Sequence, residues 1–100
     1  MATTRRGTLK NARTQEPPAN PLTQLELVEL LHKRAVNELV VVEIEPGRYQ
    51  VQPIVAWRIG RSTLMHSPGK PRIFRRLDTL AVLLKTFGIG RTVVRLELLE

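Results

Sequence analysis

One hundred residues, 42% hydrophobic, 25% charged and only 4% aromatic, are enough for one small domain with an aliphatic core. Sixteen Lys and Arg against nine Asp and Glu leave a net charge of +7, which points towards polyanions such as nucleic acid or an anionic membrane without identifying either. The absence of cysteine excludes a disulfide scaffold, a Cys-ligated zinc site and a thiol nucleophile. No apolar run approaches the ~18 residues of a membrane span, and no secretory leader opens the chain, so a cytoplasmic protein is expected.

Residues 1–21 are rich in Thr, Arg, Asn, Gln and Pro and carry Arg5, Arg6, Lys10 and Arg13. Such a stretch cannot bury enough apolar surface to offset its ordering entropy, so a disordered basic tail is expected there, with the domain over 22–100. Thr23-Gln24-Leu25-Glu26 has the spacing of a capping box, and Leu22 and Leu27 have that of a hydrophobic staple. With Leu27, Leu30, Leu31 and Arg34 on one face, the pattern predicts a helix over 23–35.

Leu39–Glu45 then alternates, which predicts a strand with Val40, Val42 and Ile44 on its apolar face. Pro46-Gly47 suits a type II turn. Tyr49, Val51, Val55 and Trp57 continue the alternation as the second arm of a hairpin, and Pro53 marks that arm as an edge or a bulge. A turn at Gly60-Arg61 precedes a short strand over 63–66, and residues 67–71 read as a loop.

Leu77, Leu80, Ala81, Leu84 and Phe87 recur at helical spacing, with Asp78 in the first turn and Gly88 at the end. Thr92, Val94, Leu96 and Leu98 form a terminal strand. The order α-β-β-β-α-β predicts a two-layer α+β domain, a mostly antiparallel sheet with two helices on one face. The apolar edge over 93–99 invites dimerisation.

Signals for chemistry are sparse. His32 and His66 have no metal-ligand spacing, and no nucleophile-elbow sequence surrounds Ser62 or Ser67, the serines that a triad with His66 and Asp78 would need. Gly88-Ile89-Gly90 lacks the rest of a dinucleotide fingerprint, and Gly69-Lys70 lacks that of a P-loop, so both read as turns. A non-enzymatic protein without cofactor or metal is expected. The informative cluster is Arg58, Arg61, Lys70, Arg72, Arg75 and Arg76. The planar fork of arginine suits bidentate phosphate contact, so these six and the four tail cations are the candidate nucleic-acid-binding residues. Neither helix is a basic amphipathic one with aromatic anchors, and no helix-turn-helix is visible, so binding to DNA independent of its sequence is expected.

The run Gly69-Lys70-Pro71-Arg72-x-Phe74-x-x-Leu77-Asp78-x-Leu80-Ala81-x-x-Leu84-x-x-x-Gly88-Ile89 resembles small plasmid-borne partition-associated proteins of the ParC type. Glu45-x-Gly47-Arg48-Tyr49-x-Val51 is similar in the same group, and the resemblance covers roughly 39–98. It implies an accessory role in plasmid partition or maintenance, beside a partition ATPase and a DNA-binding partner, and carries over no catalytic or binding residue. The chain departs from the group at Arg76, where a small capping residue would precede Leu-Asp. The rival expectation is a protein–protein interaction module whose charge only maintains solubility.

Overall fold

Thr23 opens the first helix in the computed structural model of the chain, which describes residues 20–88 and 91–100. The Thr23 hydroxyl accepts from Glu26 N–H at 3.1 Å, and Glu26 Oε1 accepts from Thr23 N–H at 2.8 Å, so the capping box is complete. It starts α1, Gln24–His32, with Leu27, Leu30 and Leu31 buried. The helix ends before the expected residue 35. Arg34 adopts a left-handed φ of 56°, its N–H donates to Leu31 O, and Ala35 N–H donates to Leu30 O. These two bonds form a Schellman motif with arginine where glycine is usual.

In chain order the other elements are β1 (Pro21–Leu22, before α1), β2 (Val36–Glu45), β3 (Arg48–Val55), β4 (Thr63–Ser67), β5 (Lys70–Pro71), α2 (Leu77–Thr86) and β6 (Val94–Glu97). The class is α+β, as composition and order implied. In place of one mostly antiparallel sheet there are two mixed three-stranded sheets, ordered β3-β2-β6 and β1-β4-β5. β2 pairs antiparallel with β3 and parallel with β6, while β4 pairs parallel with β1 and antiparallel with β5.

Two strands are too short for periodicity to reveal. β1 takes Pro21 out of the expected tail and into the fold, and β5 turns the expected loop over 67–71 into a hairpin closed at Gly69, φ 76°. Residues 1–19 of the tail, with Arg5, Arg6, Lys10 and Arg13, lie outside the described residues, as do Ile89 and Gly90.

β2 corrects the expected face. Leu39 and Val41 join Val51, Val55, Leu64, Phe74, the α1 leucines and Leu80, Leu84 and Phe87 of α2 in one core. Val40 is equally buried but faces the other way, and Ile44 is exposed. Four consecutive aliphatic residues, Leu39–Val42, with Ile44 beyond Glu43, cannot say which parity points inward, because a central strand is covered on both faces. β3 ends at Val55, and Trp57 lies in the following turn, 64% exposed. Pro53 is fully buried on the edge strand, as expected of a proline without an N–H. Its carbonyl faces away from β2 and accepts from Ser62 N–H at 2.8 Å.

Candidate nucleic-acid interface

The six cations between residues 58 and 76 fall into two groups with different work. Arg58 and Arg61 sit on the loop that follows β3 and turn inward. Arg58 Nη1 donates to the hydroxyl of fully buried Ser62 at 3.3 Å. Arg61 donates to both carboxylate oxygens of Glu97 at 2.8 Å and to Gln52 Oε1 at 3.1 Å. This fork lies on the Val40 side of the β3-β2-β6 sheet, because Gln52 and Glu97 are register neighbours of Val40 and Val42. The Arg61 pair holds the Glu97 carboxyl below the usual glutamate range and raises the guanidinium above its own. Arg61 is therefore a strap between loop and strand, with its phosphate-binding fork occupied.

The second group lies on β5 and the segment leading into α2. Lys70 and Arg75 are exposed and make no side-chain hydrogen bond or ion pair with another described residue. Arg72 is half-buried: its Nη1 donates to Gln24 Oε1 at 3.1 Å, and its guanidinium carbon lies 5.0 Å from the centroid of the Phe74 ring. Phe74 is itself held by reciprocal backbone bonds with Tyr49, which fix the segment against β3. Arg72 also lines an apolar cavity of about 650 Å³ with Leu22, Met65 and Pro68.

Arg76, at the helix N-cap, makes no side-chain cap and instead clamps Asp78 with bonds of 3.0 and 2.6 Å. That pair lowers the Asp78 carboxyl below its ordinary range. Asp78 occupies the first turn of α2 as expected, and its Oδ1 also accepts from Thr79 N–H at 2.8 Å. The open cations of the described cluster are thus Lys70 and Arg75, with Arg72 half engaged.

A second basic concavity went unread in the sequence. His32, Arg34 and Arg91 line a polar cavity of about 670 Å³ beside Gly88 and Asn37. Arg34 and Arg91 are far apart in the chain, and only the left-handed turn after α1 and the approach to β6 bring them to one place. No local spacing could signal it.

The residues of a serine triad are not joined: among the described residues no hydrogen bond links His66 to Ser62, Ser67 or Asp78, while Ser62 is buried against Arg58 and Asp78 is taken by Arg76. Among the described residues no three His, Cys, Asp or Glu side chains group in a way that could hold a metal ion, and no helix is long and apolar enough to cross a membrane. No protein-family model matches this chain, and no curated protein matches it.

Proposed function

We propose that this chain is a non-enzymatic accessory protein that contacts DNA phosphates through Lys70, Arg72 and Arg75, in a role of the plasmid-partition kind that the ParC-type resemblance implies, on DNA itself or on a DNA-bound partition complex. The observation that carries the reading is the pair of exposed, acid-free cations on β5 and the segment after it, in a chain whose other clustered arginines are taken up internally. Contacts of this type are independent of base sequence and release condensed counterions.

Fluorescence anisotropy of a mixed-sequence duplex, titrated over a range of salt, tests it. Replacing Lys70 and Arg75 with alanine should weaken binding to any duplex. It should also reduce the slope of log K against log salt by about 1.8, since each lost phosphate contact removes about 0.9. Absence of binding by the wild-type protein at low salt, or an unchanged slope in the variant, overturns the reading. One observation favours a second reading, a protein–protein interaction module. The β6 edge lacks a strand neighbour on its outer side among the described residues, and Val94 and Leu96 on it are exposed.

A further inference from the structure

β6 is flanked by β2 on one side and by no described strand on the other, and Val93, Val94, Leu96, Leu98 and Leu99 are all 40–58% exposed. An apolar open edge of this kind is a template for a further strand. The direction of its backbone groups is fixed: Leu39 N–H donates to Val93 O at 2.9 Å, so odd-numbered residues turn their backbone towards β2. Val94, Leu96 and Leu98 turn theirs outward, because these groups alternate along a strand.

We propose that a second copy of this chain occupies this edge, its β6 antiparallel to the first across a two-fold axis at Leu96, to make a continuous six-stranded sheet. Charge selects the register. A ladder built from outward-facing residues must pair even numbers with even numbers. Centring it on Arg95 sets arginine opposite arginine, and centring it on Glu97 sets glutamate opposite glutamate, both unfavourable for residues directly opposed. Centring it on Leu96 sets Arg95 opposite Glu97 of the second copy, twice by symmetry, with Val94 opposite Leu98 of the second copy and Val93 opposite its Leu99.

Arg95 already bonds Glu38 at 3.0 Å and Glu97 at 3.4 Å within its own chain, and Glu97 holds Arg61. The two-fold joins two balanced clusters, each of two arginines and two glutamates. The interface is self-complementary in both charge and shape of residue, and it is independent of the phosphate-binding reading.

The chain has no cysteine, so single-cysteine variants report the register cleanly. Leu96→Cys sets the new thiols across a hydrogen-bonded pair, with Cα atoms ~5.5 Å apart, inside the range a disulfide spans. Mild oxidation should link it into a dimer. Val94→Cys alone and Leu98→Cys alone should stay unlinked, because each lies about 14 Å along the strand from its own symmetry mate. The two together should link. In parallel, sedimentation from micromolar to near-millimolar concentration should show a dimer, and Arg95→Glu should weaken it about tenfold, since two like-charged pairs replace two opposite ones. Far-UV circular dichroism confirms that each variant is folded. A wild-type monomer at every concentration, or linkage at Val94 or Leu98 alone in place of Leu96, overturns the proposal.

Discussion

Arg34 is the residue whose local chemistry least matches its conformation. With φ at 56°, its Cβ crowds the following carbonyl, a cost of about 1–2 kcal/mol that glycine does not incur. Arg34→Gly should therefore raise stability by roughly 1 kcal/mol, less what is lost to the freer unfolded chain, and a urea midpoint moved to higher concentration would show it. A lower midpoint would mean that the arginine compensates in place, at the cavity it shares with Arg91. Thr23 is the opposite case, where residue and role agree. Thr23→Ala removes one half of the capping box and should cost about 1 kcal/mol by the same measurement. Gly88 matches its role too, at φ 72° with its N–H on Lys85 O, and this end of a helix was legible in the sequence. The end of α1 was not, because no glycine announced it.

Among the elements, the β4–β5 hairpin does the work expected of a loop, and it does so with very few residues. β5 is two residues long, yet it sets Lys70 beside Ser67 and leads through Arg72 into the Phe74–Tyr49 bridge. Its turn requires the left-handed backbone of Gly69, so Gly69→Ala is strained although nothing lies within 4 Å of the added methyl. A loss of about 1 kcal/mol is expected in urea unfolding. Early hydrogen exchange at Lys70 and Arg72 amides should accompany it, and unchanged protection there would show that the bridge alone holds the segment. The helices follow a simpler rule, in which the apolar stripe of each reaches the shared core. In α1 the expected face of Leu27, Leu30 and Leu31 is the buried one, while Leu25, beside that stripe, is 68% exposed.

Acid should loosen the whole molecule. The carboxyls of Glu97, Asp78 and Glu43 all lie below their ordinary ranges, held by Arg61, by Arg76 and by the N–H groups of Gly47 and Leu99 respectively. A lowered pKa in the folded state stabilises it above the unfolded value and is lost as pH falls through the folded one. Stability should therefore decline as pH drops past about 4.3, the unfolded glutamate value. The rising positive charge of a chain already at +7 steepens that decline. Glu43→Gln with Glu97→Gln should flatten the limb in urea midpoints measured from neutral to acid pH, and parallel curves would show that these carboxyls are not linked to folding.

Sequence alone determined the aliphatic core, the α+β class, both helices, the Pro46-Gly47 hairpin and Gly88, because caps, turns and helical periodicity are interactions between near neighbours. It could not decide what depends on distant pairing. Whether Val40 or Val41 faces the helices was settled by what covers each side of β2. Arg61 reads like its basic neighbours in the chain, yet Glu97, brought beside it by the parallel β2–β6 ladder, makes it a strap, while Lys70 and Arg75 stay open to solvent. The sheet edge is decided the same way. The run over 93–99 is apolar in any fold, but only its parallel place beside β2 turns Val94, Leu96 and Leu98 outward, since strand order and register are long-range properties that local residue patterns do not encode.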